Sequence, residues 1–215
     1  MTTARLFVVL MACVLFTSVP AQAQVALLFD NGPMDYANGF EMTAVTQADD
    51  FEVAFSATAT RVEIGMGETS CAFPANWDGV LRWWIYEDAV GMPGTLVSTG
   101  IAPDVSVYID WDNCPTVAWY VLSFPLGQSV PLEQSVRYWL AIHMAGDWSV
   151  FRNIYWATTS AGFFSDPVFM TGGTGAWTVN LGWHYSFMIL AHGDDLGIFS
   201  DEFESGDYDI WSSFT

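Results

Sequence analysis

The sequence contains no lysine, and its five basic residues, all arginine, face 24 aspartates and glutamates for a formal net charge of −19 at pH 7. Nucleic-acid binding works by neutralising phosphates with Lys and Arg, so that class of partner is excluded. An anionic lipid surface is repelled for the same reason. So acidic a chain instead suits solubility, a saline habitat or a divalent cation.

Hydrolase and nucleotide signatures are missing too. There is no G-x-S-x-G, no H-E-x-x-H, no P-loop and no G-x-G-x-x-G after a strand. Only three histidines occur, His143, His184 and His192. The pairs Asp49/Asp50 and Asp194/Asp195 have the composition of a glycosidase acid and base. Among 24 carboxylates, however, adjacent pairs arise by chance. The expectation is a non-enzymatic protein, with a secreted hydrolase as the lesser alternative.

Long apolar runs are scarce. Residues 6–16 (LFVVLMACVLF) follow Arg5 and precede Ala21-Gln22-Ala23. A short positive region, an apolar run and a small-x-small triplet form a secretion signal, with cleavage expected before Gln24. The run is shorter than the roughly 20 residues a membrane span needs. Acylation of Cys13 within Leu10-Met11-Ala12-Cys13 is a rival reading, weakened by Met11 and by the very short apolar region it would leave. No later segment is apolar enough to span a bilayer. The expected plan is a signal over residues 1–23, one β domain over 24–193 and an acidic tail over 194–215, with a secreted, periplasmic or cell-surface product.

Cysteine is scarce as well. With Cys13 in the signal, Cys71 and Cys114 remain, in no C-x-x-C pair and beside no histidine. An even pair in an oxidising compartment predicts one disulfide. On the loop-entropy model it contributes on the order of 3–4 kcal/mol.

What is abundant is apolar and aromatic: 52% hydrophobic residues and 11 tryptophans. That composition rules out general disorder. Apolar alternation marks strands at 60–64, 80–86, 95–98, 105–110, 118–124, 137–144, 148–156, 177–181 and 185–192, separated by Gly, Pro, Asp and Asn. Roughly nine or ten short strands at this spacing predict an all-β, jelly-roll-like β-sandwich with one disulfide.

Alternation also sorts side chains to faces. Over 137–144, Tyr138, Leu140, Ile142 and Met144 make one apolar face, leaving Arg137, Trp139, Ala141 and His143 on the other. Over 81–86, Leu81, Trp83 and Ile85 face inward, leaving Arg82, Trp84 and Tyr86. An arginine thus stands two residues before a tryptophan on two outer faces. A flat ring flanked by hydrogen-bonding groups is what a sugar stacks on, so Arg82, Trp84, Tyr86, Arg137, Trp139 and His143 are the candidate polysaccharide site. The same arrangement also serves as Arg–Trp packing or as a contact with a cell-surface protein.

Asp110, Asp112 and Asn113, directly before Cys114-Pro115, place alternating oxygens as Ca²⁺ prefers. The string D-W-D-N-C-P resembles the end of a thrombospondin type 3 calcium repeat. An Asx-turn loop pinned by the disulfide is the structural alternative.

Further pieces resemble a family. Ala48-Asp49-Asp50-Phe51, Ile85-Tyr86-Glu87-Asp88 with Gly91-Met92-Pro93-Gly94, Tyr138-Trp139-Leu140-Ala141, and Phe187-Met188-Ile189-Leu190-Ala191-His192-Gly193 are similar to exported bacterial β-sandwich domains of the PEP-CTERM and choice-of-anchor kind. The resemblance implies a jelly-roll-like fold and no established catalysis. The chain departs from that pattern in lacking a C-terminal apolar helix and basic end. Phe199 to Trp211 instead resembles the F-x-D-x-F-E-S-G-D-x-x-x-W tails of exported Gram-negative proteins.

Overall fold

The computed structural model describes residues 25–148, 151–162 and 164–192. The expected signal with its cleavage site, Cys13, the acidic tail and the His192 side chain lie outside the described residues. Those residues form fourteen strands and no helix. In chain order these are β1 (Val25–Asp30), β2 (Met34–Glu41), β3 (Val45–Glu52), β4 (Ala57–Glu68), β5 (Arg82–Asp88), β6 (Pro93–Ile101) and β7 (Ser106–Asn113). They continue as β8 (Val117–Leu132), β9 (Arg137–His143), β10 (Ile154–Thr159), β11 (Val168–Thr171), β12 (Thr178–Val179), β13 (His184–Tyr185) and β14 (Phe187–His192).

The strands make two antiparallel sheets. The smaller has the order β12-β11-β3-β9-β5-β6. In the larger, β4 is central, with β8 and then β7 on one side, and β14 with β1, and β10 with β2 and β13, on the other. The core lies between them. Val62, Ile64, Leu122, Phe124, Trp156 and Phe187 of the larger sheet meet Phe51, Trp83, Ile85, Tyr138, Leu140 and Ile142 of the smaller. The alternation read from 60–64, 81–86 and 137–144 therefore gives the correct inward faces.

The strand count corrects the expectation of nine or ten. β1, β2, β3 and β11 carry weak apolar alternation. β3 (VTQADDFE) places polar residues on both faces and is nevertheless buried along most of its length. β2 contains Asn38-Gly39, which reads as a turn in isolation. Trp148 and residues 151–153 leave the expected strand, because Trp148 covers His143 and pairing begins only at Ile154.

Two features of the larger sheet shape its outer surface. One is a bulge between Ile109 and Trp111, across which the register to β8 slips by one residue. The other is the disulfide Cys71–Cys114, with Cα atoms 5.9 Å apart, joining the loop after β4 to the β7–β8 turn. Among the described residues no helix is long and apolar enough to cross a membrane.

Candidate functional site

The outer face of the larger sheet is built around two glycines. On β4, Gly65 and Gly67 take the outward positions that alternate with the inward Ile64 and Met66. A Cβ on Gly65 would lie 2.3 Å from Cγ of Met34, and one on Gly67 would lie 2.7 Å from the ring of Trp119. Only glycine lets these side chains lie flat on the strand. Met34, Trp119 and Ala157, with Val117 and Val121, thereby form a small apolar layer outside the sheet.

Across this layer runs a strap, residues 32–36. Its base is pinned by Asn31, whose Nδ2 donates to Asp49 Oδ2 at 3.1 Å and to the Tyr185 carbonyl at 2.9 Å. The Ser186 hydroxyl donates to the Gly32 carbonyl at 2.9 Å. Asp35 fixes the far end, accepting from the backbone N–H of Ala37 at 2.8 Å and the Thr158 hydroxyl at 2.6 Å. Next to Asp35, Tyr36 takes a φ of 55°. A bulky residue in the left-handed region is held there only by such surroundings, and conformations of this kind cluster at ligand sites.

Tyr36 stands edge-on to Trp111 at 5.8 Å and to Trp119 at 6.0 Å. Its hydroxyl donates to Asp110, and that hydrogen bond holds the phenol above its ordinary pKa. Tyr36 divides the face into two grooves. The first, about 280 Å³, is lined by Asp30, Glu63, Asp110, Met34, Val121 and Met188. The second, about 330 Å³, is lined by Asn38, Thr69, Thr116, Trp119 and Tyr155. Tyr36 lines both. On β7, Tyr108 pairs with Val121 beside the first groove and Trp111 with Trp119 beside the second. Tyr36, Tyr108 and Trp111 are 41%, 59% and 47% exposed. Trp119 is only 4% exposed, and its indole N–H has no acceptor among the described residues. A buried donor without an acceptor is uncommon in native structures.

The residues expected to form the site lie on the opposite side of the molecule, outside the smaller sheet. The register brings Arg82 beside His143, Trp84 beside Ala141 and Tyr86 beside Trp139, so the inferred faces are right. The expected open platform is not. Trp139 is fully buried, and its Nε1 donates to Asp88 Oδ1 at 2.8 Å. His143 is buried under Trp148, the rings stacked at 3.7 Å, and burial pushes its pKa down. Trp84 and Tyr86 are half-buried, against Trp148 and Trp177 respectively. Arg82 donates to the Gly146 carbonyl at 3.4 Å. Arg137 lies 3.8 Å from Asp50 and 3.6 Å from Glu52, over the ring of Phe164. The loops after β9, β10 and β11 thus turn this face into a third packed layer.

The calcium residues are strung along β7 rather than gathered. Asp110 accepts from Tyr36, and Asp112 Oδ1 accepts from the Cys114 backbone N–H at 3.0 Å, an Asx turn. Among the described residues no three His, Cys, Asp or Glu side chains converge as a metal site would require.

Asp49 and Asp50 do not form an acid–base pair either, because alternation sends them to opposite faces of β3. Asp49 points inward, where it accepts from Asn31, from the Tyr185 N–H at 2.7 Å and from His184 at 3.4 Å. Burial raises the pKa of Asp49, and the bond to Asp49 raises that of His184. Asp50 points outward and accepts from the Ser165 N–H at 2.9 Å; burial pushes its pKa up to about 6.

Sequence reasoning missed Tyr36, Tyr108, Trp111 and Trp119 as a group. Trp111 sat inside the quoted D-W-D-N string, but nothing local linked it to Tyr36, 75 positions earlier in the sequence. No protein-family model matches the chain, and no curated protein matches it.

Proposed function

We propose that the protein is an exported, non-catalytic surface or matrix module that holds an extended saccharide on the outer face of its larger sheet. The observation that carries this reading is the pair of grooves meeting at Tyr36, flanked by the half-open rings of Tyr108 and Trp111. Sugar rings present apolar faces to aromatic planes and hydroxyls to polar rims. Here the planes are Tyr36, Tyr108 and Trp111, and the rims are Asn38, Thr69 and Thr116 with the carboxylates of the first groove. The buried N–H of Trp119 adds a donor in want of an acceptor. Export accords with the disulfide between Cys71 and Cys114. A non-catalytic role accords with Asp49 and His184, which are engaged in holding Asn31 and β13 and line neither groove.

The test is affinity electrophoresis through soluble polysaccharides, with pull-down on insoluble ones. The wild type is expected to be retarded by at least one neutral or amino polysaccharide. Tyr36→Ala and Trp111→Ala each weaken retention about tenfold, the loss of roughly 1.4 kcal/mol, whereas Trp84→Ala leaves it unchanged. No retention by any polysaccharide, or equal retention by all variants, overturns the reading.

A further inference from the structure

The first groove is unusual in its charge. Asp30, Glu63 and Asp110 all line it, and no arginine does. Each carboxylate keeps an oxygen free. Asp30 uses Oδ1 for the Gly32 N–H, Asp110 uses Oδ2 for the Tyr36 hydroxyl, and Glu63 has no polar partner among the described residues. The nearest cation in sequence, Arg61, sits two residues from Glu63 on the same face of β4. Its guanidinium donates to the hydroxyl of Ser123, the residue opposite Glu63, at 2.9 Å; Arg61 itself lines a separate hollow with Pro125 and Gln128 and forms no ion pair with Glu63. The other described arginines are engaged elsewhere, Arg82 with Gly146, Arg137 with Asp50 and Glu52, and Arg152 with Asp78.

A polysaccharide bearing uronate or sulfate would meet three carboxylates in an open groove whose lining holds no arginine, and like charges at such range repel. A neutral chain would stack and share hydroxyl hydrogen bonds. A chain bearing protonated amines would add charge-assisted hydrogen bonds to the same carboxylates, which are shorter and stronger than neutral ones. From this complementarity we infer that the occupant is a linear amino-sugar polymer with free amino groups, its amine-bearing units in the first groove and its continuation stacked past Tyr36 into the second. The inference rests on the saccharide-binding reading and names the class of sugar.

The experiment compares glucosamine, N-acetylglucosamine and glucose oligomers of equal length by titration calorimetry at about pH 6, below the usual range of amino groups. The glucosamine oligomer is expected to bind about tenfold tighter than either neutral one. That advantage disappears in Glu63→Gln and in about 0.5 M salt, where charges on an exposed groove are largely screened. It persists in Asp104→Asn, which removes an exposed carboxylate that lines neither groove. Trp111→Ala weakens all three ligands.

Equal binding of all three oligomers, still sensitive to Trp111→Ala, overturns the amino-sugar inference and leaves the saccharide reading standing. Binding of the glucosamine oligomer alone, indifferent to Glu63→Gln and Trp111→Ala, is attraction to the acidic surface at large and also overturns the inference. No binding of any oligomer or polysaccharide overturns both. Circular dichroism of each variant separates a lost fold from a lost site.

Discussion

The two outer faces of the sandwich start from the same material and end differently. Each sheet turns aromatic rings away from the core, Trp84, Tyr86 and Trp139 on the smaller and Tyr108, Trp111 and Trp119 on the larger. On the smaller sheet, Trp148, Phe164 and Trp177 come down from the connecting loops and close a third layer, in which Trp139 is fully buried and hydrogen-bonded to Asp88. On the larger sheet only the narrow strap ending at Tyr36 crosses, leaving a groove on either side. An outward tryptophan is therefore structural or available according to what the distant chain does above it, not according to its own strand.

The strongest test of that contrast is a matched pair of truncations. Trp139→Ala is expected to lower unfolding free energy by about 3–5 kcal/mol, as for other fully buried tryptophans. Trp111→Ala is expected to cost less than about 1 kcal/mol, its edge-on contact with Tyr36 being the main loss. Guanidinium unfolding measures both, and comparable losses would mean that the larger sheet's face is as structural as the smaller's.

A second substitution sharpens the contrast from the glycine side. Gly67→Ala puts a methyl 2.7 Å from the Trp119 ring, which must lift from the strand. The expected cost is about 1–3 kcal/mol of overpacking, with a weakened second groove read out as lost saccharide retention. A fully stable variant that retains ligand would show that Trp119 can move without consequence.

The smallest effect concerns pH. Asp50, under the closed face, has its pKa raised by burial to about 6, against about 3.9 for an unfolded aspartate. The folded state therefore holds this proton more tightly. The stability it confers is complete below about pH 4 and is lost as pH rises through 6. Asp49 and His184, both raised, act with the same sign. The wild-type thermal midpoint should climb as pH falls from 7 to 5, and Asp50→Asn should climb less, a difference on the order of 1 kcal/mol. Parallel curves would remove Asp50 from the account.

How much of this could be read from the chain follows from where information is local. The inward faces of β4, β5 and β9, the all-β class and the Cys71–Cys114 bridge are written in alternation and in a leftover pair of cysteines, and these match the structure. β3 was illegible because it is buried on both faces and spends polar residues on each. Its Asp49 and Asp50 looked like a carboxylate pair only while their opposite directions were ignored. The candidate site failed for a related reason. Alternation gives the face of Trp139 but says nothing of Trp148, which arrives from a loop that itself resembled a strand. The grooves depend on Tyr36 meeting Trp111 and Trp119 across the fold, a meeting no local pattern encodes.

The bulge on β7 carries a consequence for how such a surface could arise. Tyr108 and Trp111 are three residues apart, a spacing that regular alternation would split between opposite faces. The extra residue at Asp110 restores them to one side and turns its own carboxylate toward Tyr36. Loss of a single in-frame codon there would restore regular pairing with both rings still on one side, and would remove the acceptor of Tyr36 in one step. What an insertion or deletion at this position changes is therefore the carboxylate that holds Tyr36, with the aromatic platform itself kept. Divergent relatives are best compared by length at this position before they are compared by residue.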